Sequence, residues 1–266
     1  MATGLVVLLT ACTPPVRFAT PAEIKAANAP SPPPAAEVAP AGAPSPSPIP
    51  GSGALDQFQA QLRKVADTVT PSVVEIDTGG SRGTVGSGIV IDAQGDIITN
   101  AHVVGAYTSF KVTASDGHTY QASLVGADPS NDLAIVKAAG PDASLRPATF
   151  GDSAQVKVGD VVLAIGSPLG QGISVSDGIV SALGRSQAEN PAITLTNLIQ
   201  TTAPLQPGSS GGALVDLNGH VVGITTLVAG SGPSGNGPAG PTTNVGFAIT
   251  SNQARTVAKQ LGAVIP

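Results

Sequence analysis

The chain has 266 residues, of which 11% are charged and 3% aromatic, with 33 Gly, 24 Pro and no Trp. Abundant glycine and β-branched residues with few long charged side chains indicate an all-β body rich in turns. A net charge of −5 with no basic run argues against a nucleic-acid partner, and a single cysteine, Cys12, excludes an internal disulfide and a cysteine-based metal site.

Residues 1–11, MATGLVVLLTA, are apolar and end in small residues before Cys12. Eleven residues make roughly 17 Å of helix, too short for a hydrocarbon core of about 30 Å. The segment reads as the apolar region of an export signal. Leu9-Thr10-Ala11-Cys12 resembles the lipobox of bacterial lipoproteins, in which cleavage leaves the cysteine as an acylated N-terminus, although the usual basic residues ahead of it are missing. The expected destinations are a lipid anchor through Cys12 on the outer face of a cell membrane, simple secretion, or an uncleaved stub. Residues 13–53 hold 12 of the 24 prolines, interleaved with Ala and Ser. Such a segment cannot bury enough apolar surface to offset its ordering entropy, so a disordered tether is expected.

Helical periodicity begins at 54–69, where Leu55, Phe58, Leu62, Val65 and Val69 recur on one face before Pro71. Short β-branched runs follow at 73–76, 88–91, 97–99, 110–114, 121–125 and 133–137, then at 161–165, 175–183, 193–200, 213–215, 221–227 and 245–249. Twelve short strands separated by Gly- and Asp-containing turns predict a sandwich or barrels, not βαβ units. Residues 229–243 form a Gly/Pro run that predicts a long loop, and 251–261 predict a closing helix with Ser251 as N-cap and Ala254, Val257, Ala258 and Leu261 facing inward.

The candidate chemistry centres on Pro207-Gly208-Ser209-Ser210-Gly211-Gly212, a glycine-rich turn between two apolar runs. Such a turn exposes a serine hydroxyl and can present backbone N–H groups to whatever the hydroxyl attacks. A nucleophilic serine needs a base and an acid that orients it. His118 (in Ser115-Asp116-Gly117-His118) and His220 (in Asn218-Gly219-His220) read as solvated hairpin-turn residues. His102 sits where the run at 97–99 ends among apolar residues, a place that suits either a core histidine or a base. Asp132 directly precedes the run at 133–137, and its rival Asp128 is explained by the Asp128-Pro129 turn.

Six blocks together resemble the HtrA (Deg) serine proteases of the chymotrypsin-like superfamily: TNAHVV around His102, NDLAIVK around Asp132, AIGSPLG at 164–170, GIVSALGR at 178–185, PGSSGG at 207–212 and VGFAI at 245–249. The resemblance covers about residues 55–262. It implies two six-stranded antiparallel β-barrels, one over about 72–150 and one over about 155–250, within a protease domain at 54–266. It further implies a catalytic triad of His102, Asp132 and Ser210 separated by 30 and 78 residues, and an oxyanion hole from the amides of Gly208 and Ser210 with Ser209. Extended substrate would pair with Ile224, Thr225, Thr226 and Leu227, and Ala203, Pro204, Leu205 and Gln206 would wall the specificity pocket. With no carboxylate in that wall, a small or medium aliphatic side chain is expected at the cleaved position.

The implied partners are unfolded polypeptides, with no cofactor and no metal, and a homotrimer is the usual assembly. The chain departs from the pattern at Ser209, usually Asn, at Thr202, usually Asp, and at Ala213, usually Pro. No PDZ domain is expected after the closing helix, so regulation by peptide capture is not carried over. Two other functions compete with an active endopeptidase: a catalytically silent relative that holds unfolded chains, and a structural envelope lipoprotein.

Overall fold

The computed structural model describes residues 52–79, 84–142, 144–190, 193–226 and 245–266. Cys12 and its leader, the tether up to residue 51, Leu227 and the 229–243 loop lie outside the described residues. The described part opens with helix α1 (Ser52–Val69) and a short turn at Thr70–Ser72. Val65 and Val69 are buried, Leu62 is half-buried, and Leu55 and Phe58 are exposed. Only the second half of the periodic face therefore seats on the body. The expectation of one continuously buried face fails for the first two turns.

Strands β1 (Val73–Asp77), β2 (Val85–Val90) and β3 (Asp96–Thr99) lead into a single helical turn, α2 (Ala101–Val104). Then come β4 (Ser109–Thr113), β5 (Thr119–Asp128) and β6 (Leu133–Ala138). These six strands pair antiparallel in the order β1-β2-β3-β6-β5-β4, and β4 returns to β1 to close the barrel. The second set is β7 (Val161–Gly166), β8 (Ser174–Asn190), β9 (Ile193–Thr201), β10 (Ala213–Val215), β11 (Val221–Thr226) and β12 (Gly246–Thr250). They close in the order β10-β11-β12-β9-β8-β7. All twelve expected runs are strands, and the two-barrel architecture is the observed one.

The near-continuous apolar runs have a simple cause. Successive side chains on a strand point to opposite faces, and here both faces are covered. In β6, Ala134 and Val136 point into the first barrel's own core, while Leu133 and Ile135 join a cluster that spans both barrels with Ile165, Leu198, Ile224 and Ile249. The second barrel fills its interior with Val162, Ala164, Val180, Ile199, Leu214 and Ala248. The closing helix α3 (Ser251–Gln260) buries Ala254, Val257 and Ala258 into the shared cluster, with Leu261 packed against it.

Ser251 does not cap that helix. The N-cap is Thr250, without a side-chain cap bond, and Ser251 is the first helical residue. Its hydroxyl donates instead to the Gly151 carbonyl at 2.8 Å.

Candidate active site

His102 and Asp132 are brought together by strand register. Thr99 at the end of β3 pairs with Ala134 near the start of β6, so the residues just past the one strand lie beside those just before the other. The chain after Thr99 turns into α2 rather than ending as a plain strand. Val103 and Val104 are buried there, and His102 faces outward with its side chain 33% exposed. On the other side, the Asp128 carboxylate accepts from the Ser130 and Asn131 amides and from Asn131 Nδ2. That bonding explains Asp128 as a turn residue. It delivers Asp132 in the left-handed region at φ 51° and ψ 43°, a conformation that Asp tolerates better than most side chains.

The Asp132 side chain is fully buried, which is tolerable for a carboxylate only when its oxygens are hydrogen-bonded. Both oxygens lie 2.9 Å from His102 Nδ1. Oδ1 also accepts the His102 backbone N–H at 3.0 Å, and Oδ2 accepts the Thr226 hydroxyl at 3.1 Å. Asn100 Nδ2 donates to the Asp132 carbonyl at 2.9 Å. A carboxylate at this position can hold one tautomer of the imidazole, with the proton on Nδ1 and the lone pair on Nε2.

The other two histidines stay in turns. His118 Nδ1 lies 3.1 Å from Asp116 and 3.3 Å from the Ser144 hydroxyl, and His220 Nδ1 lies 3.6 Å from Asp216. Asp116 is pulled down to about 2, first by a hydrogen bond from the Ser144 side chain and then by the His118 amide.

The glycine-rich turn hangs between β9 and β10. The Ser209 amide donates to the Gln206 carbonyl at 2.8 Å, and Gly208 has φ 95°. Proline second and a positive-φ glycine third is the pattern of a type II turn. The Pro207 carbonyl accepts the Leu169 amide at 2.8 Å. Because a trans peptide sets its C=O and N–H in opposite directions, this bond turns the Gly208 N–H away from Leu169. A Cβ on Gly208 would meet the Ser167 carbonyl, and one on Gly211, at φ 86°, would meet the Ser87 carbonyl. Both positions therefore require glycine.

The Ser209 amide, engaged within the turn, is not available to a ligand. This corrects its place in the expected oxyanion set.

Ser210 is buried, with 5% exposure, and its carbonyl accepts the Ser87 amide of β2 at 2.8 Å. The Ser87 carbonyl in turn accepts the Thr99 hydroxyl at 2.6 Å, three residues before His102. From the other direction, Thr225 exchanges backbone bonds with Gly211 and Gly212 while its neighbour Thr226 bonds Asp132. Two separate chains of hydrogen bonds thus tie the Ser210 turn to the His102–Asp132 pair.

The expected substrate strand needs correcting. Ile224 pairs with Ala213 on one edge and Ile249 on the other. Thr225 pairs with Ala248 and with the Gly211–Gly212 turn. Neither residue has an edge to offer. Thr226 pairs with Phe247 on one side and gives its hydroxyl, not its backbone, to Asp132.

Pro204, Leu205 and Gln206 line a cavity of about 210 Å³ together with Ser176, Ser209 and Thr225, and no charged side chain among the described residues lines it. Ala203 is not in that wall; it is buried in the second barrel's core.

A trypsin-like peptidase domain profile matches residues 86–224, just over half of the chain. The chain belongs to the trypsin-like peptidase domain family. Its relatives include serine proteases, and an HtrA-type protease is among the similar solved structures. The chain is 43% identical over 180 residues to the periplasmic serine endoprotease DegP of Escherichia coli (strain K12), covering 66% of this chain and 35% of DegP. It is 39% identical over 227 residues to the serine protease PepD of Mycobacterium tuberculosis, covering 80% of this chain and 48% of PepD. Among solved structures it resembles the HtrA-type protease AlgW with tripeptide, at TM-score 0.66 and 36% identity, covering 75% of this chain and 62% of that one. The chain spans between a third and a half of the length of these two curated relatives.

Proposed function

We propose that this chain is a serine endopeptidase that cuts unfolded or damaged polypeptide outside the cytoplasm, with Ser210 as nucleophile, His102 as base and Asp132 as its orienting acid. The observation that carries the reading is the His102 imidazole held through Nδ1 by a fully buried carboxylate and tied by hydrogen bonds to the Ser210 turn.

In this mechanism Ser210 Oγ attacks the peptide carbonyl while His102 Nε2 takes its proton. The carbonyl oxygen, now negative, is received by the Gly208 and Ser210 amides. His102 then gives the proton to the leaving amine, and the acyl-Ser210 ester is hydrolysed by water activated in the same way. Each oxyanion donor is worth about 3 kcal/mol in such a transition state. Substrate adds as a strand at the Thr226 end of β11, a mode that suits extended chains over folded ones. The neutral wall of Pro204, Leu205 and Gln206 gives a basic side chain no partner charge and favours a small aliphatic one.

The test is labelling by a fluorophosphonate together with hydrolysis of denatured casein. Both are expected, and activity should fall in acid with one proton, because an imidazolium cannot accept the Ser210 proton and an ordinary imidazole titrates near about 6.5. Protein that binds denatured casein but is never labelled would belong to the holding function instead. A flat profile from about pH 5 to 8 would remove His102 as base.

The lipobox-like LTAC at 9–12 supports anchoring through Cys12. Cys12→Ser should move the protein from the membrane fraction to the soluble one; retention in the membrane rules the anchor out.

A further inference from the structure

Ser87 is a fully buried hydroxyl in the middle of β2, in an otherwise apolar stretch that reads VGSGIV. A buried hydroxyl is costly unless bonded, and this one is bonded on both sides. Its Oγ donates to the Gly208 carbonyl at 2.6 Å and accepts the Ser167 amide at 2.8 Å. Ser167, also fully buried, donates its own hydroxyl to Glu75 Oε2 at 2.6 Å. Glu75 lies on β1 directly across from Ser87. The connection therefore runs Glu75, Ser167, Ser87, Gly208. It starts in the first barrel, passes through the end of β7 in the second, returns to the first and ends on the turn that carries the nucleophile.

The atom it reaches matters. The Gly208 carbonyl belongs to the peptide whose N–H is that of Ser209, and peptide planarity means that fixing one end of the plane fixes the other. The preceding peptide is fixed by Leu169 through the Pro207 carbonyl, and the Ser209 amide is fixed by Gln206. Those two bonds come from the second barrel. Among the side chains described, the hydroxyl of Ser87 is the group that holds the same turn from the first barrel.

We propose that Ser87 is a positioning residue of the hydrolytic site, its hydroxyl setting the plane of the Gly208–Ser209 peptide and so the aim of the amides of Gly208 and Ser210. Ser167 and Glu75 hold Ser87 to that task. The inference rests on the peptidase reading of Ser210. It adds a residue whose loss damages the transition state rather than substrate binding, since the reacting oxygen becomes negative only after attack.

The experiment uses the full chain with a chromogenic peptide amide carrying Val at the cleaved position, the matching peptide aldehyde, and the product peptide acid. Outright removal of an oxyanion donor costs about 10²–10³ in kcat, and misaiming one costs less. Ser87→Ala is expected to lower kcat about thirtyfold and to weaken the aldehyde in parallel. KM and product-peptide affinity should stay within about twofold. Wild-type kcat and aldehyde affinity in folded Ser87→Ala, or equal losses in kcat and product binding, overturn the proposal.

Should that variant fail to fold, Ser167→Ala carries the test. It keeps its amide on Ser87 and loses only the link to Glu75, so about a threefold fall in kcat at constant KM is expected. Unchanged kcat there overturns the proposal. Wild-type protein that neither cleaves nor is labelled sinks the peptidase reading itself, whereas an active wild type with an indifferent Ser87 sinks this inference alone.

Discussion

Ser210→Ala should lower kcat by about 10⁵- to 10⁶-fold and leave the fold and peptide binding intact. The size follows from what the hydroxyl does. Without it no acyl-enzyme forms, and the activity left over water comes only from the oxyanion donors and binding. The fold should survive because the Ser210 carbonyl still accepts the Ser87 amide when the side chain is shortened. Ser209→Ala is the matched comparison. The Ser209 hydroxyl accepts the Gln206 amide at a long 3.3 Å, and its loss should change kcat less than about tenfold. Active-site titration and kcat of the two variants separate the adjacent serines. A Ser210→Ala enzyme within a hundredfold of wild type would dismiss Ser210 as nucleophile.

Asp132→Asn should cost about 10⁴ in kcat at neutral pH with KM within a few-fold, a loss of the size seen when the triad acid becomes an amide. The Asn Oδ1 can still take the His102 backbone N–H, and Asn tolerates the left-handed backbone found at 132. The amide nitrogen, however, would donate to His102 Nδ1. The imidazole would then carry its proton on Nε2, the nitrogen that must accept from Ser210. Imidazole NMR reports the tautomer directly. A loss under tenfold, or an unchanged tautomer, would separate Asp132 from the chemistry.

Much of this architecture is legible in the sequence because the strands are buried on two faces. Runs such as Leu133-Ala134-Ile135-Val136 serve two cores at once, and continuous β-branched stretches record that plainly. His102 and Asp132 could be paired because the order and surroundings of the motifs are specific. What could not be read depends on contacts far apart in the chain. Thr226 reaches Asp132 across 94 residues and Ser87 reaches Gly208 across 121. A hydroxyl in an apolar run was the only local sign of either. Ser251 looked like a cap, yet its hydroxyl finds Gly151, 100 residues away. The helical turn at His102 was hidden because Val103 and Val104 favour strands by composition. The expected pairing edge at Ile224 failed because a three-residue strand, β10, and the turn before it occupy that edge, and nothing in the local pattern marks so short a partner.

The bonds from β2 to the Ser210 turn, together with Asp132 to Thr226 and Gln253 to Asn131, make the proposed catalytic site a property of the docked pair of barrels and of neither alone. If either barrel opens, the proposed site geometry should be lost with it in one step, as expected of a cooperative unit. For a protein proposed to consume unfolded chains, this is a built-in safeguard. On that reading a damaged copy would become a substrate as it ceases to be a protease.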